Sequence, residues 1–262
     1  MSVLDYGVCR LSIVPVRKEP DDRSEQVTQL LFGDHYEVLE SHTSGKWLRI
    51  RIYADQYEGW IAHNQLYRIS SEFFEYINRA ELKITTDLTS SLLFNKAPVM
   101  IVIGSIIPIG SAELFRMEEQ FAFNGESKNI GQKRDFEFLR AIAMKYLNAP
   151  YQWGGKSPFG IDCSGFVQMV FRITGFSLPR DSGQQAQQGR PVPSFDESQP
   201  GDLVFFQNEK EQINHVGIRL TDSKIIHASG RVRIDDLSAE GIVHQTKKTV
   251  THGFSHVRRI FP

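Results

Sequence analysis

The sequence predicts an α+β chain in which one or two small N-terminal β-barrels precede a half built of helices packed on an antiparallel sheet. Three observations lead there. Residues 7–70 alternate or cluster apolar side chains in short runs broken by turn residues. Residues 135–147 and 163–171 repeat apolar side chains at helical spacing, and beyond residue 200 the chain returns to short β-branched runs. With 262 residues, 40% of them hydrophobic and 23% charged, the chain has the composition of an ordinary globular protein and room for two or three small domains. We place these at 1–70, 71–129 and 130–262.

In the first domain, residues 9–16, 35–40, 46–52 and 59–62 read as strands, with Gly33-Asp34 and Ser44-Gly45 as breakers, so about five short strands close a barrel. Residues 87–89, 99–103, 111–117 and 120–125 suggest a second, divergent barrel, and 125–129 read as the linker that ends it. Residues 135–147 are rich in helix formers, with Phe138, Leu139, Ile142, Tyr146 and Leu147 on one broad face. Asn148-Ala149-Pro150 stops that helix, because the residue before proline is pushed out of the α region. A second helix is expected from Cys163, with Asp162 as its cap, Cys163, Phe166, Val167, Val170 and Phe171 on its apolar face, and Gly175 as its stop. The 135–147 helix should pack under it. After residue 178, Asp181 or Ser182 offers a cap and Gly189 a stop. Residues 191–202 then form a loop, and three or more strands run to the C-terminus.

The chemistry centres on Cys163, delivered by a loop dense in Gly and Pro onto a helix start. Unpaired N–H groups there stabilise a thiolate, so this thiol should ionise more readily than a free one. The bland alternative is a small buried hydrophobe, which is the reading taken for Cys9. A cysteine nucleophile needs a base, and His215 and His227 both stand in β-branched runs that adjacent strands would bring together, His215 as base and His227 as its orienter. Either could instead be an ordinary strand histidine.

Net charge is −1, which provides no basic field for nucleic acid. The longest apolar run, residues 97–109, is too short and too broken by Pro and Gly to span a membrane, and residues 1–7 lack a secretory pattern. Two cysteines suit a reducing compartment, so a cytoplasmic location is expected. His252 and His256 have a spacing seen in zinc sites, but no cysteine or acidic cluster accompanies them; no metal and no cofactor is called for.

The run Tyr151-x-Trp153-Gly154-Gly155, then Asp162-Cys163-Ser164-Gly165-Phe166-Val167, then Pro200-Gly201-Asp202-Leu203-Val204-Phe205-Phe206, then His215-Val216-Gly217-Ile218 and Ile226-His227-Ala228 resembles, in order and spacing, the NlpC-type papain-like cysteine peptidases of bacterial cell-wall metabolism. The resemblance covers the chain from about residue 135 onward. Arg17-Lys18-Glu19-Pro20, Gly33-Asp34, Trp47-Leu48 and Gly59-Trp60-Ile61 resemble, more weakly, a bacterial SH3-like domain. Together they imply a γ-D-glutamyl-L-diamino acid endopeptidase acting on murein peptides with a free N-terminal L-alanine, in peptide recycling. By resemblance the Tyr151 phenol joins the Cys163 N–H as oxyanion donor. Asp162, Ser164 and Ser182 match substrate contacts, Asp162 suiting a cationic diamino acid, although Asp162 and Ser182 would also serve as plain helix caps. Trp153 is placed with the substrate-binding residues, its alternative being the core. Tyr57 and Glu25 match the residues that hold the alanine ammonium. Two rivals are a non-catalytic module that binds wall fragments and an amidase or acyltransferase of the same fold.

Overall fold

The structure is a computed structural model and describes residues 3–107, 121–244, 246 and 248–261. It divides into two compact units, Met1–Lys133 with Trp153–Pro158, and Arg134–Gln152 with Phe159–Pro262.

The first unit begins with a seven-stranded antiparallel sheet. Its strands are β1 (Asp5–Val8), β2 (Ile13–Arg17), β3 (Gln26–Leu31), β4 (His35–Ser41), β5 (Trp47–Ile52), β6 (Glu58–Ala62) and β7 (Arg68–Ile69), in the spatial order β3-β2-β6-β5-β4-β1-β7. Strict alternation along β2 sends Val14 and Val16 inward onto Leu30, Tyr36, Ile50 and Ile61. Strand β3 is absent from the sequence reading because Thr28 and Gln29, neighbours on opposite faces of the strand, are polar and both buried, so no apolar alternation marks either face. Helix α1 (Ser71–Arg79) was likewise not anticipated. Ser70 caps it by accepting from the Phe73 N–H at 3.2 Å, and Phe74 and Ile77 pack on Val8, Ile69, Leu82 and Ile106.

Residues 83–129 contain two three-stranded antiparallel sheets. One has the order β10 (Ala97–Val102), β9 (Thr89–Phe94), β12 (Phe121–Asn124); the other has the order β11 (Ile106–Ile107), β8 (Lys83–Thr85), β13 (Ser127–Asn129). The strand expected over 111–117 lies outside the described residues. The segment that joins this unit from the glycine-rich loop carries β14 (Lys156–Ser157). Gly154 there has φ +72°, and a Cβ on it would lie 2.3 Å from the Gln26 carbonyl oxygen, so only glycine fits. The Lys156 N–H donates to Gln29 Oε1 at 2.8 Å, which gives the buried Gln29 its partner.

In the second unit, α2 (Phe136–Lys145) starts where Asp135 accepts from the Phe138 N–H at 3.0 Å, and it buries Leu139, Ile142 and Ala143 against α3 (Cys163–Thr174). Tyr146 meets Phe166 edge-on at 5.9 Å between ring centroids. Helix α3 follows the short β15 (Gly160–Ile161) and ends at Gly175, which is left-handed with φ 99°. All its residues but Arg172 are buried. The element expected between a cap at Asp181 or Ser182 and a stop at Gly189 is shorter, the single-turn α4 (Ser182–Gln185), with Asp181 in the cap position and Ala186 already at its C-cap.

The strands β16 (Arg190–Val192), β17 (Leu203–Gln207), β18 (Ile213–Thr221), β19 (Lys224–Ser229), β20 (Arg231–Ser238), β21 (Gly241–Val243) and β22 (Val250–Arg259) form one antiparallel sheet in the order β16-β22-β17-β18-β19-β20-β21. Because β22 pairs with both β17 and β21, the strands from β17 to β22 close into a ring. Val204, Phe206, Ile225, Leu237, Ile242 and Val257 fill it. Helix α3 packs on β18 and β19.

Candidate active site

Cys163 is the first residue of α3. Asp162 precedes it in extended conformation (φ −93°, ψ 177°) and caps the helix, with Oδ1 accepting from the Gly165 N–H at 2.7 Å. That carboxylate is buried, and Arg180, 1% exposed, reaches it with two nitrogens, NH1 to Oδ1 at 3.0 Å and NH2 to Oδ2 at 2.6 Å. Arg180 NH1 also donates to Ser164 Oγ at 2.9 Å, and Gln185 Nε2 donates to the Ser164 and Pro179 carbonyls at 3.0 and 2.9 Å. The helix start is thereby tied to the 178–186 turn by charge and by amide.

The histidines meet because of strand alternation and one glycine. Ile218 pairs with Ile226 across β18 and β19, and His227 pairs with Arg233 across β19 and β20. Alternation from these registers puts His215 and Gly217, Ile225 and His227, and Arg233 and Asp235 on one face. A Cβ at Gly217 would lie 3.0 Å from the Cβ of His227 and 2.7 Å from Ile225 Cδ1. With glycine there, His215 Nε2 and His227 Nδ1 meet at 2.8 Å, and His227 Nε2 lies 3.0 Å from Asp235 Oδ2. Arg233 pairs with the same oxygen at 2.7 Å. The ring of His252 stacks on His215 at 4.2 Å between centroids. With Nε2 of His215 engaged, Nδ1 is the nitrogen left for a thiol. The Cys163 sulfur lies within reach of the backbone N–H of Val216, the next residue after His215.

The electrostatics correct one expectation. The helix start is present, yet the Cys163 thiol is pushed up to about 12, first by burial and then by the Asp162 charge. The Val216 and Ser164 N–H groups and Arg180 oppose that rise without reversing it. His215 is held well below the ordinary imidazole value by burial and by its histidine neighbours, and His227 is lowered by burial, against which Asp235 acts. Burial, chiefly, brings His252 to about 4. At neutral pH the Cys163 thiol and the His215 and His227 imidazoles are therefore uncharged. The Tyr151 phenol, half-exposed, is pushed up to about 12 by burial and by the Cys163 and Asp162 charges, so it remains a hydrogen-bond donor at neutral pH.

The remaining predicted residues fall in three settings. Ser164 is buried, its hydroxyl held between Arg180 and Asp162, and the carboxylate offered to a diamino acid cation is engaged by the helix cap and Arg180. Ser182 is half-buried as the first residue of α4. Trp153, Glu25 and Tyr57 belong to the first unit. Trp153 is 62% exposed, which rules out the core, and its indole N–H donates to Glu25 Oε1 at 2.7 Å, while Glu25 Oε2 pairs with Lys18 at 3.3 Å. Tyr57 is half-buried on the barrel core. Cys9 is also core, with its sulfur 3.3 Å from the Leu11 carbonyl, and both cysteines are free thiols. His252 and His256 serve no metal grouping among the described residues; His256 stacks on Phe205.

Sequence reasoning missed Arg180, Gln185 and Asp235. The buried acid at a helix cap was a signal for a buried cation, and the alternation of Arg231-Val232-Arg233-Ile234-Asp235 was a signal that Arg233 and Asp235 share a face.

A buried cysteine on a helix start, packed on the strands that carry a histidine–histidine–aspartate chain, has the residue types of a papain-like cysteine-hydrolase site. Residues 148–251 match the NlpC/P60 family and residues 16–66 match the bacterial dipeptidyl-peptidase Sh3 domain, so the chain carries an NlpC/P60 domain preceded by an SH3-like domain. A gamma-D-glutamyl-L-lysine dipeptidyl-peptidase of Bacillus subtilis (strain 168) is 28% identical over 77% of this chain and 71% of its own length. Dipeptidyl-peptidase 6 of Lysinibacillus sphaericus is 27% identical over 80% of this chain and 83% of its own. In fold, a crystal structure of an NlpC/P60 family protein from Bacillus cereus ATCC 10987 superposes with a TM-score of 0.78, covering 98% of this chain and 100% of that one at 21% identity.

Two outcomes follow from this geometry. Arg180→Met leaves the Asp162 carboxylate buried without its cation and is expected to lower unfolding free energy by about 3–5 kcal/mol in chemical denaturation. A loss below about 1 kcal/mol would show that the helix start does not depend on the pair. Iodoacetamide near neutral pH should modify Cys163, 7% exposed, well before Cys9, 1% exposed. Because His215 stays neutral in acid, the lower limb of that reaction's pH profile should fall below the ordinary imidazole value of 6.5. A limb at or above 6.5 would contradict the buried, neutral base.

Proposed function

We propose that the protein is a cysteine endopeptidase that cleaves the γ-D-glutamyl-L-diamino acid bond of peptidoglycan stem peptides carrying a free N-terminal L-alanine. What carries this reading is the joint occurrence, in one chain, of an NlpC/P60 domain bearing Cys163 with its histidine relay and an Sh3 domain of the dipeptidyl-peptidase type. The named relatives support the same bond, one of them being a γ-D-glutamyl-L-lysine peptidase.

In the proposed reaction the Cys163 sulfur adds to the γ-carbonyl carbon while the thiol proton passes to His215. The backbone N–H of Cys163 and the Tyr151 phenol stabilise the developing oxyanion. The C–N bond breaks as His215 returns the proton to the departing amine of the diamino acid. Water, deprotonated by His215, then attacks the thioester, releasing L-Ala-γ-D-Glu and restoring the thiol.

A free amino terminus is the second element of substrate choice. We assign its recognition to Glu25 and Tyr57 on the sequence resemblance. Lys18, the cation paired with Glu25 Oε2, is exposed, so an ammonium can replace it at small cost while the Trp153 indole keeps Oε1. The test compares free L-Ala-γ-D-Glu-diaminopimelate with its N-acetylated form by mass spectrometry of the released dipeptide. The free peptide should be cleaved and the acetylated one should be far poorer in kcat/KM, with Cys163→Ala inactive on both. Equal cleavage of the two peptides would remove the gate; no cleavage of either would remove the substrate assignment.

Action on free peptides in recycling places the enzyme in the cytoplasm, and two free thiols suit a reducing compartment. Among the described residues no helix is long and apolar enough to cross a membrane. Fractionation of the source bacterium should recover the protein with soluble cytoplasmic markers; recovery from the wall or the medium would overturn the recycling role.

A further inference from the structure

We infer that Asp235 is a positioning residue that sets the tautomers of both site histidines and so decides that His215 presents a lone pair, not an N–H, to Cys163. The inference rests on the cysteine–histidine reading of the site and extends it by one member. Two neutral imidazoles bonded to each other are ambiguous, because either can donate to the other. His215 Nε2 and His227 Nδ1 at 2.8 Å satisfy both directions equally well. Asp235 removes the ambiguity.

Its carboxylate accepts hydrogen bonds and donates none, and it lies 3.0 Å from His227 Nε2, where both residues are nearly inaccessible to water. His227 must therefore carry its proton on Nε2. A neutral His227 then has a bare Nδ1, which can only accept, so His215 must donate from Nε2 and keep Nδ1 bare. The direction of the whole chain is fixed from its far end, and its near end is a base for the thiol. When His215 takes the Cys163 proton, the imidazolium is stabilised through His227 by the Asp235 charge.

The relay and the groups packed on it stand on five strands. His215 is on β18, with His227 on β19 beside it. From β20 come Asp235 and Arg233, whose guanidinium balances the carboxylate at 2.7 Å, and from β22 comes His252, stacked on His215 at 4.2 Å. Arg233 and His252 give His215 no counter-charge, so Asp235 is the anion that favours its protonated form from this side. Phe206 closes the site at 5.8 Å from His215 and admits no competing hydrogen bond.

The experiment uses the full chain labelled with ¹⁵N-histidine. In the wild type at neutral pH, the ring nitrogen shifts should show His227 and His215 both protonated on Nε2; His215 protonated on Nδ1 would overturn the inference. In Asp235→Asn the amide can donate to His227 Nε2 and reverse the chain, so Nδ1–H should appear on His215. On the peptide substrate, kcat should fall about a hundredfold or more with KM within about twofold, while Asp235→Glu recovers much of it. The acid limb of kcat/KM should also move down by about one pH unit, because the imidazolium loses its counter-charge. A folded Asp235→Asn with wild-type tautomers, kcat and pH profile would reduce Asp235 to a structural partner of Arg233. The spectroscopic arm needs no substrate, so an error in the proposed peptide leaves it decisive.

Discussion

The catalytic unit depends on one buried charge. Asp162 has to be buried because its helix is buried, and an uncompensated carboxylate there would cost several kcal/mol. Arg180 meets it with a two-nitrogen grip, and that grip does more than neutralise it. It fixes the side chain that caps α3, so it fixes where the helix begins and therefore where the Cys163 sulfur stands. Ser164 and Gln185 join the same network, which makes the 178–186 turn part of the nucleophile's foundation.

The burial that secures this position sets the chemistry of the thiol. A helix N-terminus favours a thiolate, but its influence is a partial charge acting over one turn, whereas desolvation acts on the whole ion. Here desolvation prevails, and the anion of Asp162, the preceding residue, adds to it. The histidines are depressed by the same cause. Cys163, His215 and His227 are thus all stored uncharged, as suits a dry site, so the direction of the hydrogen bonds between the two histidines turns on which imidazole nitrogen is bare, and the anion next to that choice is Asp235.

Much of the fold was legible because the signals are local. Periodicity placed the helices at 135–147 and from Cys163 within a residue or two of α2 and α3, with Asp162 as cap and Gly175 as the left-handed stop of the second, while Asp135, read as helical, is the cap of the first. The strands carrying His215 and His227 were readable from their β-branched runs. What escaped had its pattern interrupted: β3 buries Thr28 and Gln29, and α1 is short, with only Phe73, Phe74 and Ile77 to mark its face.

By itself, then, the sequence determined the helix start at Cys163, its cap, and which side chains of each strand share a face, since all of these follow from neighbours within a few residues. Tertiary structure alone decided the partners. Asp162 finds Arg180 eighteen residues on, where the turn after α3 returns to the helix start, and His227 finds Asp235 eight residues on by the β19–β20 register, while the absence of a Cβ at Gly217 lets His215 reach His227. It also decided the protonation of Cys163, because desolvation sums over every atom packed around the sulfur, and no stretch of sequence contains that sum.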